Sequence, residues 1–258
     1  MKTAVITGAV ILAALTSCTT IFDCIEGNGD LKSEERSATS FTAIANETSF
    51  QVIYIRGDEH SITVEAESNL LPYIETEISG GALEIRTVRG THCLRYNTQP
   101  VITVTAPLIS ELVNAGSGDI IAGPLGGEDV KIIVSGSGEI SCGEISAEDV
   151  SVVISGSGDV LTGVISALTI KATLSGSGDL TTSGEVITAR YIVSGSGPLF
   201  AGELITEEAI VTISGSGSVY TTVNDTLDAV ISGSGNIYLS GNPQVSLTRT
   251  GSGRIINM

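Results

Sequence analysis

Val134-Ser135-Gly136-Ser137-Gly138-Glu139-Ile140 is followed one period later by Ile154-Ser155-Gly156-Ser157-Gly158-Asp159-Val160, and again by Leu174-Ser175-Gly176-Ser177-Gly178-Asp179-Leu180. Working outward, Gly-Ser-Gly begins at Gly116, Gly136, Gly156, Gly176, Gly195, Gly215, Gly233 and Gly251, in steps of 20, 20, 20, 19, 20, 18 and 18 residues. A fixed period of this size, with one aliphatic segment in each, marks a solenoid whose coils bury their apolar faces only against their neighbours. The expected fold is all-β: a right-handed parallel β-helix with about 18–20 residues per coil over 114–258.

Position by position, the repeat is consistent. Two residues after the second glycine stand Ile120, Ile140, Val160, Leu180, Leu199, Val219, Ile237 and Ile255, all aliphatic. Two residues before the first glycine stand Asn114, Val134, Ile154, Leu174, Val193, Ile213, Ile231 and Arg249. The polar first and last members are the pattern expected of end caps. Strand alternation puts the glycines and aliphatics on one face and the intervening serines on the other. Glycine at such a corner answers either to positive φ or to close backbone approach. A second corner is expected near Gly123, Gly143, Gly163, Gly184 and Gly202, each followed two residues on by Leu125, Ile145, Ile165, Val186 or Leu204.

Upstream, residues 41–113 show strand alternation, as in Phe50, Val52 and Tyr54 or Val101-Ile102-Thr103-Val104, and should form an N-terminal β region stacked on the solenoid. Residues 18–40 are polar and read as a tether. The first 17 read as an export signal, with Lys2, the apolar run Ala4 to Leu15, and Leu15-Thr16-Ser17-Cys18 as a lipobox. Cleavage before Cys18 would lipidate that residue and anchor the chain to a membrane that it does not span. Loss of Lys2 leaves 11 basic residues against 29 acidic ones, a net charge of −18, which disfavours nucleic acid as a partner. Of the other cysteines, Cys24, Cys93 and Cys142, three pairings are open in an oxidising compartment. Cys24–Cys93 is the preferred pair, because Cys142 falls at an inward position of the repeat.

The repeated Val/Ile-Ser-Gly-Ser-Gly-Asp/Glu-Val/Ile unit follows Phe41-Thr42-Ala43-Ile44, Leu70-Leu71-Pro72-Tyr73-Ile74-Glu75-Thr76-Glu77 and Gly81-Ala82-Leu83-Glu84-Ile85. In that order, from about residue 40 to 258, the chain resembles the putative auto-transporter adhesin, head GIN domain family. The resemblance implies a β-helical fold and an exported bacterial protein of the envelope or surface, many members being lipoproteins.

Candidate chemistry is sparse. Ser137, Ser157, Ser177 and their equivalents lack a base, since His60 and His92 are the two histidines and both lie outside the repeat. They read as hydroxyl ladders and turn residues. His92 could ligate a metal with Cys93, but it is read in preference as a loop residue beside a disulfide. Asp119, Glu139, Asp159 and Asp179 occupy one position in successive coils and read as an exposed acidic stripe; a cation-binding solenoid is the alternative reading. The paired acids Glu128-Asp129, Glu148-Asp149 and Glu207-Glu208 keep a carbohydrate-binding or carbohydrate-active β-helix in play. The expectation is a non-enzymatic, lipid-anchored protein of the bacterial envelope, at the outer membrane, meeting a protein or glycan at the cell surface. No catalytic residue, metal or cofactor is assigned.

Overall fold

The computed structural model describes residues 24–91 and 93–258. Cys18, with the export signal, and His92 lie outside the described residues. The chain is an all-β solenoid of about 7 turns. Its aliphatic column is one parallel ladder, with Ile120 beside Ile140, Val160, Leu180, Leu199, Val219, Ile237 and Ile255 in turn. All but the terminal Ile255 are buried. Each such burial is worth about 1.5–3 kcal/mol, so stacked columns supply a core without tryptophan.

The Gly-Ser-Gly glycines answer to close approach. None of the sixteen has positive φ. Instead, from Ser137 onward the serine N–H donates to the first glycine carbonyl of the coil before it, as in Ser157 to Gly136 and Ser177 to Gly156, both 3.0 Å. That same oxygen occupies the space a Cβ would need: an added Cβ on Gly156 or Gly176 would fall on Gly136 O or Gly156 O. The intervening serines point outward, and one hydroxyl rung is formed, Ser252 to Ser234 at 3.2 Å.

Two expectations need correction. Asn114 does not cap an open end, because the ladder continues below it through Ala43–Asn46 and Ala82–Thr87 on one face. On the next face it runs from Ile120–Ala122 through Gln51–Arg56 to Val101–Ala106. Asn114 is fully buried, and its side-chain amide donates to the Gly118 carbonyl at 2.8 Å, so it closes the corner from inside. At the other end, Arg249 does lie exposed in the last coil. The second correction concerns the tether. Leu31–Arg36 is a strand paired antiparallel to Ser61–Glu67, which in turn pairs antiparallel to Val101–Ala106. On the other face Ile74–Ser79 closes antiparallel on Ala82–Thr87. The outer strand, Leu-Lys-Ser-Glu-Glu-Arg, carries four charges in six residues, which suits an edge that must not pair further.

Register places Thr48-Ser49-Phe50 directly beneath Gly116-Ser117-Gly118. Here the corner tolerates side chains for a physical reason. The coil below leaves the ladder between Ile85 and Pro100, so no backbone layer stacks directly under Thr48 or Phe50, and the Phe50 ring packs edge-on against Tyr96 of the excursion instead. That excursion is fastened separately. Cys24 and Cys93 form a disulfide, Ile25–Glu26 pairs in parallel with Leu94–Arg95, and the buried Glu67 carboxylate accepts N–H bonds from Gly29 (2.5 Å) and Asn97 (2.9 Å). The Asn97 side-chain amide adds a third bond at 2.8 Å. With the Asn97 contacts leading, these bonds hold the Glu67 carboxyl below the usual glutamate range.

Candidate functional site

Outward-facing residues matter most for contact with other molecules, and one column of them is mostly apolar. Immediately after each inward aliphatic the register aligns Ile53, Ile121, Ser141, Leu161, Thr181, Phe200, Tyr220, Tyr238 and Ile256. Seven of these nine rungs are apolar or aromatic. At about 4.8 Å per layer the column runs roughly 38 Å along the solenoid. Ile121 and Leu161 stay 45% exposed and Phe200 37%, far from what an ordinary solvated strand face presents. Phe200 stacks on Tyr220 with ring centroids 5.0 Å apart, and Tyr220 on Tyr238 at 4.4 Å.

The two small rungs interrupt the column, and each opens a cavity. At Ser141 it is about 220 Å³, bordered by Asp119, Ile121 and Glu139. At Thr181 it is about 400 Å³, with Leu161, Phe200, Tyr220 and Met258 as apolar walls and Thr181, Ser183 and Glu203 as polar ones. Its floor is the buried pair Thr162 and Thr182, whose hydroxyls are 3.0 Å apart.

The larger cavity exists because the second corner loses its register. Gly123, Gly143 and Gly163 stack as expected, but Gly184 lies beside Ile165, with φ +122°, and Gly202 faces open space. The strand Leu199–Ile213 has 15 residues, against 14 in Leu180–Val193 below it and 13 in Val219–Ile231 above. Its surplus emerges as a bulge between Ala201 and Ile205. Thr222 pins that bulge by donating to the Gly202 carbonyl at 2.7 Å. Glu203 is carried out on it beside the aromatic column. The sequence did contain the signal: the Gly-Ser-Gly steps shorten from 20 to 19 and later 18 in this stretch. The aromatic rungs were equally visible as one register position, but a scan for ring-rich composition passes over a chain with six Tyr, four Phe and no Trp in 258 residues.

The residues singled out from sequence fall elsewhere. Asp119, Glu139 and Asp159 are exposed and Asp179 is half-buried. Their spacing has a use that sequence reasoning missed. Asp119 accepts the backbone N–H of Glu139 at 2.9 Å, and Asp159 that of Asp179 at 2.8 Å. Ser218 and Asn236 do the same for Asn236 and Arg254 further along the column. At these four steps a side-chain oxygen ties one coil to the next. Burial, with the Asp159 charge adding to it, raises the Asp179 carboxyl above the ordinary aspartate range. Among the described residues no three His, Cys, Asp or Glu side chains gather as a metal site. The paired acids at Glu128, Glu148 and Glu207 are solvated, with Thr169 donating to Asp149. His60 sits in the N-terminal region against the Phe41 ring and carbonyl. Cys142 is a buried free thiol, pushed up to about 12 by burial. No helix among the described residues is long and apolar enough to cross a membrane.

A parallel β-solenoid with a hydrogen-bonded glycine corner and an exposed apolar column defines a class of stacked-repeat protein. Within that class, the chain belongs to the putative auto-transporter adhesin, head GIN domain family, which matches residues 40–173 and 160–243. Family membership points to an adhesin-like protein of the cell envelope or surface. Among solved structures, a putative lipid binding protein from Parabacteroides distasonis ATCC 8503 is 27% identical with a TM-score of 0.83, over 91% of this chain and 99% of its own. A putative adhesin from Parabacteroides merdae ATCC 43184 is 22% identical with a TM-score of 0.83, over 92% and 99%. A second putative adhesin from Parabacteroides distasonis ATCC 8503 is 22% identical with a TM-score of 0.80, over 92% and 100%. No curated protein matches the chain.

Proposed function

We propose that this protein is a non-enzymatic, lipid-anchored adhesin of the bacterial envelope, whose solenoid holds the Ile53-to-Ile256 column rigid against a partner at the cell surface. The observation that carries this reading is the column itself. A stripe of apolar and aromatic residues kept in water costs solubility, and an otherwise strongly acidic chain retains it over roughly 38 Å. The anchor rests on Lys2, the apolar run and the lipobox ending at Cys18. The test has two arms. Cys18→Ala should shift the protein from the membrane fraction to the soluble one, and Tyr220→Ser with Tyr238→Ser should abolish attachment of expressing cells to host or neighbouring-cell surfaces while leaving the thermal midpoint nearly unchanged. Full attachment by the double variant overturns the adhesive role.

A second reading is favoured by one observation. The apolar walls of the Thr181 cavity suit an acyl chain, and the 27% identical structure is described as a putative lipid binding protein. In that case lipid uptake, and not cell attachment, is what changes when Leu161 and Phe200 are replaced.

A further inference from the structure

We propose that the Thr181 cavity is a subsite for one pyranose ring of a glycan carrying no negative charge, seated between Leu161 and Phe200 where the outward column lacks a bulky rung. This deepens the reading of the column as the contact surface and rests on it. Spacing comes first. Leu161 and Phe200 flank Thr181 in the register, two layers apart, which is roughly 9.6 Å at about 4.8 Å per layer. A ring inserted midway stands about 4.8 Å from each neighbour, which leaves room for the thickness of one puckered pyranose. Orientation comes second. One face of the Phe200 ring is covered by Tyr220, and the other turns toward the Thr181 layer. Tyr220 and its neighbours spend their faces on each other, so the free ring face lies in the cavity, where it offers its negative quadrupole to polarised sugar C–H bonds.

The rim decides between ligands. Thr181, Ser183 and Glu203 surround the slot with hydroxyl and carboxylate groups. An acyl chain would desolvate them without returning a hydrogen bond, whereas a hydroxylated ring pairs with them. Charge excludes one subclass. The cavity is lined by Glu203 and by no Lys or Arg, on a chain of net charge −17, so uronates and phosphorylated sugars are repelled. The other small rung, Ser141, repeats the combination of a missing side chain with flanking carboxylates, Asp119 and Glu139.

Calorimetric titration of the purified full chain with hexasaccharides of glucose, mannose and glucosamine, with tetragalacturonate, and with lyso-phosphatidylcholine tests the assignment. At least one hexasaccharide should bind, with tetragalacturonate at least tenfold weaker. Thr181→Phe supplies the missing rung and should cut that affinity at least tenfold with an unchanged circular-dichroism spectrum. If that variant does not fold, Glu203→Ala with Ser183→Ala should still weaken binding at least fivefold. Absence of hexasaccharide binding, or affinity indifferent to these substitutions, overturns the subsite; so does lyso-phosphatidylcholine binding that Thr181→Phe alone abolishes. Should cell attachment persist in Thr181→Phe yet fail in the Tyr220→Ser, Tyr238→Ser variant, the adhesive role stands and this subsite falls.

Discussion

The two corners of each coil are built from the same residue under opposite constraints. At the Gly-Ser-Gly corner every rung from Gly116 to Gly251 repeats, because the carbonyl that receives the next coil's N–H fills the space a Cβ would take. At the second corner glycine stacks through Gly123, Gly143 and Gly163 with looser contacts, Gly163 N–H reaching the Gly143 carbonyl at 3.2 Å and an added Cβ on Gly163 lying 2.7 Å from the Gly143 carbonyl carbon, and then departs, Gly184 falling beside Ile165. The first corner fixes the axis. The second is free to vary in length, and where it varies it opens the groove beside the aromatic column. A solenoid therefore gains a site by irregularity on the side where irregularity is cheap.

The largest effect should come from moving a methyl group between those corners. Gly156→Ala would set its Cβ on Gly136 O and should destabilise by about 3–5 kcal/mol or prevent folding. Gly202→Ala, facing open space without positive φ, should lie within about 0.5 kcal/mol of the parent. Equal denaturant midpoints for the two variants would break the comparison.

Next comes the base of the first corner, where the coil beneath is missing and Glu67 secures the excursion instead. Because hydrogen bonding depresses the folded-state pKa of Glu67, its contribution is present above the unfolded value of about 4.3 and is lost as pH falls through the folded value. Protection factors of the Gly29 and Asn97 amides, which correct for the intrinsic slowing of exchange in acid, should therefore fall as pH drops below the unfolded glutamate value of about 4.3, while amides of the repeat coils such as Ser157 stay protected. Glu67→Gln should remove the pH dependence at those two amides. Uniform loss of protection along the chain would show that the end and the repeats unfold as one unit.

A smaller effect is expected at the bulge. Thr222→Val removes the hydrogen bond to the Gly202 carbonyl and should cost about 1 kcal/mol, with chemical-shift changes confined to the Gly202–Ile205 stretch. Shifts spreading to the Gly-Ser-Gly corner would mean that the two corners are coupled.

Smallest is Asp159→Asn. The amide oxygen can still accept the Asp179 N–H, as Asn236 does for Arg254 in the same column, and the repulsion that helps raise the Asp179 carboxyl is removed. The midpoint should stay equal or rise by about 0.5 kcal/mol or less, and millimolar calcium should act no differently from matched salt. A saturable calcium-specific gain that disappears in the variant would restore the cation-binding alternative.

The repeat period, the aliphatic ladder and the outward serines were legible in the sequence because each is a local pattern copied at a fixed interval, and translation along the axis carries it unchanged into the structure. Those copies alone fix an all-β solenoid and its family. Tertiary structure decided three things that the copies do not encode. Asn114 lies inside the stack and does not end it, since the coils beneath lack the Gly-Ser-Gly signature that the missing layer makes unnecessary. The aspartate column ties backbone to backbone, since an oxygen one layer below an N–H is a relation between coils and not between neighbours in sequence. The groove at Thr181 forms where strands of 14, 15 and 13 residues must share one axis, so that the surplus is pushed outward. Sequence records how many residues each coil has; only stacking determines where the extra ones go.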